Sequence, residues 1–320
     1  MKSYVRDSIS TEKNRKKLKK DQRMKAIFLL AALLSSSAIA IIIIFISVKG
    51  ISPFLSGYSY GQQDFSIFLC TDVSFLTGMM WRKDQGTYGV GFIVINTLVS
   101  AFGALVISFP LSVLTALFIA KIAPKHVAEV MTTVVELLAS IPSVVYGVFA
   151  SGTITVLVSS LASSLGFVTA GGSSLLAVIL LLAIMIFPTI TSLSITAIRS
   201  VDREVELGSL ALGATRTQTN FKVILTSAKS GIFAGAILGI GRAFGEATAV
   251  AMVAGNKMFG PTVNVFDTTR TLTTTMLAGL KETTGLDYDI RFSAGLVLMA
   301  VILLSNLLLN LMKKKVGNMK

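Results

Sequence analysis

The sequence predicts an all-α integral membrane protein of six transmembrane helices, several of them broken by proline. Three observations carry that prediction. Only 14% of the 320 residues are charged and 53% are hydrophobic, whereas soluble domains carry roughly 25% charged residues. The apolar residues gather into blocks that reach the roughly 20 helical residues needed to cross a bilayer. The basic residues behind the net charge of +13 cluster between alternate blocks, as expected where Lys and Arg mark the cytoplasmic side.

The blocks place the spans at 26–48, 91–120, 127–150, 174–198, 230–254 and 292–312. Ahead of the first lies a basic tail, residues 1–25, with ten of the 29 Lys and Arg. Such a tail would bind nucleic acid in another context; placed directly before an apolar run, it holds the N-terminus in the cytoplasm. Ala38-Ile39-Ala40 is a small-x-small site of the kind a cleaved signal ends on. The chain continues IIIIFISV beyond it, so the run is too long for a signal core and stays as a span. Pro110, Pro142 and Pro188 fall inside spans two, three and four. Each removes a helical hydrogen bond and crowds the preceding turn, so kinks or breaks are expected, of the kind tolerated where neighbouring helices or a cavity satisfy the freed carbonyls. Ser140, Ser143 and Tyr146 beside Pro142 would serve either those carbonyls or an anion.

Charge orients the spans. The tail 1–25, the KIAPKH break, the 199–229 loop and the tail 313–320 are basic. By contrast, 49–90 has three basic and three acidic residues, 255–291 has four of each, and 151–173 has none. The two sets alternate as six spans with both termini cytoplasmic require. The organisation expected is therefore an external segment at 49–90, with its only Trp at 81, and a core over 91–312. The TTRTLTTT stretch within 255–291 reads as a threonine-rich external loop.

Several function classes drop out. The single cysteine, Cys70, permits no intrachain disulfide, and with one histidine, His126, no Cys/His cluster could ligate zinc. His126 follows Pro-Lys in a short polar break and reads as a solvated loop residue, without partners for hydrolytic chemistry. A GxxxxGK[ST] loop is absent, so the chain is not an ATPase. Neither a metal nor a cofactor is expected on it.

Between spans four and five, the loop 199–229 carries an amphipathic heart. Leu207, Leu210 and Ala211 fall at helical spacing, and Gly213 offers a left-handed C-cap. Such a helix would dock in a groove on a cytosolic partner. It would equally lie on the membrane interface with Arg199, Arg203 and Arg216 toward headgroups.

Span five poses a second question in GIGRAFGEATAV (239–250). From a span start near Ser230, Arg242 lies about 18 Å deep in a core about 30 Å thick. A charge there costs roughly 2.5–3.5 kcal/mol. Arg242 and Glu246, four apart, would share one helical face, either as a self-neutralising ion pair or as path residues. In the second case Arg242 holds the oxygens of an anion, and Glu246 limits how tightly. Glu136 is a third candidate, facing the path or pairing with Arg242. The small residues of span five, Gly231, Ala234, Gly235, Gly239, Gly241 and Gly245, allow close helix contact and would form a sliding or pairing face.

The loop 199–229 resembles the cytoplasmic coupling loop of ATP-binding-cassette importer permeases, whose pattern is E-A-A, a glycine, then I-x-L-P. The glycine corresponds to Gly213 and the later apolar positions to Val223 and Leu225. Aligned so, the family's glutamate falls on Leu207, with Glu206 one residue early, and its proline falls on Thr226. ELLASIPSVVYGVFASG (136–152), ALGATRTQT (211–219), GRAFGEATAVAMVAGN (241–256) and TRTLTT (269–274) resemble the phosphate-specific importer permeases of PstC type. The similarity runs from about residue 90 to the C-terminus. It implies a type I ABC importer permease bundle in a bacterial plasma membrane that forms half of a phosphate pathway. Coupling would run through Glu206, Leu207, Gly208, Leu210, Ala211, Leu212, Gly213 and Ala214. The partners implied are a PstA-type permease, a PstB-type ATPase dimer that consumes the ATP, and a PstS-type phosphate-binding protein outside. Importers of molybdate or sulfate share this architecture. A secondary transporter working without ATP, or a non-transporting anchor, would leave the glycine-ended loop unexplained.

Overall fold

A backbone in hydrocarbon has no water to bond, so apolar blocks of this length close their hydrogen bonds within themselves as helices. The computed structural model bears this out and describes residues 2–55, 59–60, 63–64 and 73–318; Cys70 lies outside the described residues. The chain divides into two units, residues 1–49 and 50–320. In the first, α1 (Lys2–Leu55) carries the first span. Its side chains Ile27, Leu30, Leu34 and Ile41 are exposed, a surface for which only lipid is a suitable solvent.

The second unit begins with the last turn of α1 and two short hairpins. In these, β1 (Ser59–Tyr60) pairs with β2 (Gln63–Asp64), and β3 (Trp81–Arg82) pairs with β4 (Thr87–Tyr88); α2 (Val73–Thr77) lies between the hairpins. The helices follow: α3 (Gly91–Leu117), α4 (Lys125–Ser140), α5 (Ser143–Phe149), α6 (Thr155–Ser164), α7 (Leu175–Arg199), α8 (Arg203–Ala211), α9 (Arg216–Gln218), α10 (Leu225–Gly245), α11 (Thr248–Ala254), α12 (Leu272–Leu277) and α13 (Leu286–Asn318). Turns of π-helix, Phe118–Ile122, Ala150–Ile154 and Thr219–Ile224, extend or join them. Among the described residues, six helical segments are long and apolar enough to cross a membrane: Lys20–Leu55, Gly91–Ile122, Ser143–Ser164, Leu175–Arg199, Arg216–Gly245 and Leu286–Leu311.

Two of these spans differ from the sequence reading. The third was expected at 127–150 but runs over Ser143–Ser164, because Pro142 ends α4 and the uncharged stretch expected outside continues the helix to Ser164. α4 itself is amphipathic, burying Ala128 and Val135 while Glu129 and Glu136 are exposed. His126 is exposed in its first turn rather than in a loop. The fifth was expected at 230–254, but its helix starts at Arg216 and stops at Gly245. Of the three prolines, only Pro142 ends a helix; Pro110 and Pro188 stay inside α3 and α7.

α7 is the axis of the bundle. It buries Leu175, Val178, Leu181, Leu182, Met185, Ile186 and Ile190 between α3 and α10. Close approach to α10 depends on glycine: a Cβ at Gly239 would lie 2.7 Å from Ile190 Cγ1, and one at Gly231 would lie 2.5 Å from Ala197 Cβ. The small-residue face expected to slide against another subunit is thus largely taken by the chain's own α7. Gly241 and Gly245, on the other side of α10, have open space instead.

The threonine-rich stretch is likewise an internal part of the fold. Thr269, Thr271, Thr273, Thr274 and Thr275 are buried. Thr271 and Thr274 cap α12 reciprocally, the Leu272 amide donates to Thr97 Oγ1 of α3 at 3.0 Å, and the carbonyls of Val265 and Asp267 accept from the first amides of α7. The loop thus supplies acceptors to amides that the starts of α7 and α12 would otherwise leave open, and Thr97 of α3 accepts from a further one at the start of α12.

Candidate functional site

The Arg242–Glu246 sequence straddles a helix break. Arg242 lies in the last turn of α10, while Glu246 has left the helix (φ −75°, ψ 120°) and α11 restarts at Thr248. Glu246 Oε1 accepts from the Ala249 amide and from Thr248 Oγ1, both at 3.0 Å. The carboxylate thereby covers donors at the start of α11, and the guanidinium sits at the end of α10. Each charge complements the helix end beside it. The two therefore do not share a helical face, and the self-neutralising pair is not formed: among the described residues, no ion pair joins them. Arg242 is half-buried, and its Nη1 donates to Thr189 Oγ1, next to Pro188 on α7, at 3.1 Å.

A second break meets the first. Pro142 has no N–H to give the Leu138 carbonyl, and Tyr146 Oη donates to that oxygen at 2.8 Å. Tyr146 thus serves a carbonyl, and Ser140 likewise donates to the Leu137 carbonyl. Ser143 Oγ lies 3.3 Å from Thr248 Oγ1, so a line of polar groups runs from the start of α5 through Thr248 to Glu246. α5 and α11 approach closely because residue 147 is glycine, where a Cβ would stand 2.6 Å from Met252 Sδ and 2.8 Å from Ala249 Cα. Glu136 is exposed on α4 and is not brought to Arg242: no ion pair joins them.

At the opposite end of α10, the short helix α8 presents the residues assigned to coupling. Gly213 adopts φ +85°, its amide donates to the Leu210 carbonyl at 3.0 Å, and the Ala214 amide donates to that of Ser209 at 3.2 Å. These two bonds are the Schellman ending that a left-handed glycine permits. Leu207 and Leu212 are exposed, the latter by 91%, with Gly208, Ala211 and Gly213 exposed beside them and Leu210 and Ala214 half-buried. Glu206 is tied inward: its Oε2 lies 2.6 Å from Lys121 Nζ, at the π-helical end of α3. Lys121, Arg203, Glu206, Leu207, Leu210 and Arg216 line one recess there.

Sequence reasoning missed the inner face of the threonine-rich loop. Thr273 Oγ1 donates to the Glu246 carbonyl at 2.8 Å, latching the loop to the break. Arg270 is only 8% exposed; burial, with the nearby Arg291 charge second, draws its guanidinium down to about 10. The signal available was an arginine within TTRTLTTT, but balanced loop charge gave no reason to place it inside.

Residues 109–317 match the family described as the binding-protein-dependent transport system inner membrane component. The chain belongs to this family: it is an ABC importer permease subunit, a multi-pass membrane protein and not itself an enzyme. It is 36% identical over 313 residues to the probable ABC transporter permease protein YqgH of Bacillus subtilis (strain 168), covering 96% of this chain and 94% of the relative. It is 30% identical over 285 residues to the phosphate transport system permease protein PstC of Pasteurella multocida (strain Pm70), covering 81% and 85%. In fold it is similar to a chain of a bacterial alginate ABC transporter in complex with an alginate pentasaccharide-bound periplasmic protein. That likeness has a TM-score of 0.61 at 19% identity and covers 93% of this chain and 98% of the other. The expected type I importer permease bundle is thus the fold observed.

Proposed function

We propose that this chain is the PstC-type permease of an ATP-driven inorganic phosphate importer. It forms half of the pathway beside a PstA-type permease. A PstS-type protein delivers phosphate from outside, and a PstB-type ATPase dimer engages α8 in the cytoplasm, where both termini lie. The ATP is bound and hydrolysed by that dimer, and this chain needs no cofactor of its own.

The observation that carries the reading is the state of Arg242. It is a half-buried guanidinium at a helix break whose hydrogen bond goes to a hydroxyl and whose neighbouring carboxylate is engaged elsewhere. A buried cation without a carboxylate partner is costly unless an anion visits it, and a planar fork of donors suits an oxyanion. Phosphate is preferred to molybdate or sulfate because the Pasteurella relative is named for phosphate transport. Transport by rocking of the helices would bring the anion to Arg242, with Glu246 weakening the hold enough for release.

The test is uptake of radiolabelled phosphate by proteoliposomes containing the four-component system. The expected result is ATP-dependent accumulation that excess unlabelled phosphate abolishes and excess molybdate or sulfate leaves intact. Competition by either of those two at lower concentration than phosphate would reassign the substrate.

A further inference from the structure

The helix α4 carries three faces of different chemistry. At roughly 100° per residue, Ala128 and Val135 fall together on the face buried against α7 and the π-helical end of α3. Val127, Val130, Val134 and Leu137 share a second face, which is exposed and apolar. Glu129, Thr133, Glu136 and Ser140 fall within about 60° of one another on a third, and all four are exposed. Among the described residues, neither carboxylate enters an ion pair.

The helix occupies one half of the bundle. Its start lies toward the α8 end, since Ala128 shares an apolar cluster with Ile224 and with Ile198 in the last turn of α7. Its last turn lies at the middle of α7, where Leu138 lines a recess with Ala183 and Phe187. There the stripe meets the breaks. Past Pro142, the Ser143 hydroxyl lies 3.3 Å from Thr248 Oγ1, which donates to Glu246. A run of polar side chains therefore leads from the α10–α11 break, where Arg242 sits, along α4 to the α8 end.

The two exposed faces need different surroundings. Lipid or an apolar subunit surface suits the valines and Leu137. A carboxylate turned to hydrocarbon is costly, and intramembrane charges face a bundle interior or water-filled space.

We propose that the stripe Glu129, Thr133, Glu136 and Ser140 is the wall of a water-filled exit from the Arg242 site to the cytoplasm, and that its two carboxylates keep the released anion from returning. The proposal rests on the oxyanion reading of Arg242. Glu129 and Glu136 repel an anion in the exit, so its concentration there stays below that of the cytoplasm. An inward-facing Arg242 site is then refilled slowly from that side. The carboxylates do not drive transport, which ATP does; they limit its inhibition by accumulated product.

Two readouts test this in the reconstituted four-component system. The first uses single cysteines in a Cys70→Ser background and a charged thiol reagent that does not enter lipid. Thr133→Cys and Ser140→Cys should react rapidly and Val130→Cys and Val134→Cys slowly, because the thiolate forms in water. The second is the initial rate of ATP-dependent uptake of labelled phosphate into proteoliposomes whose lumen, on the ATPase side, is preloaded with unlabelled phosphate. In the double variant Glu129→Gln with Glu136→Gln, half-inhibition should come at about five- to tenfold lower luminal phosphate than in the wild type, the weight of unit-charge repulsion over a few ångströms of water. Glu129→Asp with Glu136→Asp keeps both charges and should restore the wild-type tolerance. Equal labelling of the two faces, or none at positions 133 and 140, would overturn the aqueous wall. Unchanged tolerance in the Gln variant would overturn the role of the charges. So would its failure to co-purify with the companion permease, since carboxylates paired to a cation of that subunit behave so. Absence of any oxyanion uptake by the wild type would remove the Arg242 reading, and the repulsion with it, while leaving the labelling contrast in place.

Discussion

Arg242 and Glu246 are separated by a single change of backbone direction. With ψ 120° at Glu246, the carboxylate turns toward the amides of α11 and away from the guanidinium four residues earlier. This gives Glu246 a structural duty, covering the Ala249 amide, distinct from any effect of its charge on a passing anion. The two separate experimentally. Glu246→Gln keeps an acceptor for that amide and removes the charge; it should fold normally, lower the apparent KM for the anion and slow turnover in proteoliposome uptake. Glu246→Ala removes the acceptor as well and should cost about 1 kcal/mol of stability, as loss of a helix cap does. Arg242→Lys retains charge but not the planar fork, and uptake at low anion concentration should fall by about tenfold, roughly the weight of one such hydrogen bond.

Helix packing turns on where glycine meets a neighbour. Along α10, Gly239 and Gly231 press on Ile190 and Ala197 of α7, whereas Gly241, two positions from Gly239, has nothing within 4 Å of a would-be Cβ. The same substitution should thus have opposite consequences on opposite faces of one turn. Gly239→Ala overpacks the α7 contact and should lower stability by about 1–3 kcal/mol, read as a fall in unfolding temperature in detergent. Gly241→Ala should hold or slightly raise that temperature, since alanine is the better helix former. At the break, no proline is involved. A small residue, a turned-out glutamate and the cross-strut from Thr273 end α10, which is why a reading based on proline located one interruption and missed the other.

Over the whole molecule, the α8 end and the broken end are joined by the long helix pair α7 and α10, and α8 is bound back to the end of α3 through Lys121 and Glu206. That bridge is partly buried, with side-chain exposures of 17% and 31%, so it holds more rigidly than a surface pair. Movement of α8 under an ATPase would reach α3 directly as well as through the start of α10. Reversing one charge, Lys121→Glu, should lower substrate moved per ATP hydrolysed by several-fold. The exchanged pair Lys121→Glu with Glu206→Lys should recover most of that ratio, since the coupling in such a cycle belongs to the pair. Recovery no better than the sum of the single variants would show that the bridge transmits nothing.

The sequence by itself determined the number of spans, the amphipathic helix α8 and its ending at Gly213. These follow from local rules, since hydrocarbon forces helix on long apolar blocks and only glycine enters φ +85° without strain. It also marked Arg242 and Glu246 as charges in an apolar run, because that mismatch is visible residue by residue. Only the tertiary structure decided that these charges do not pair, that the Gly231–Gly239 face belongs to α7, and that TTRTLTTT lies inside. Those outcomes depend on which orphaned amide, carbonyl or cavity a residue meets across distances of 27 to 175 positions along the chain. No local pattern encodes such meetings; the closure of the bundle does.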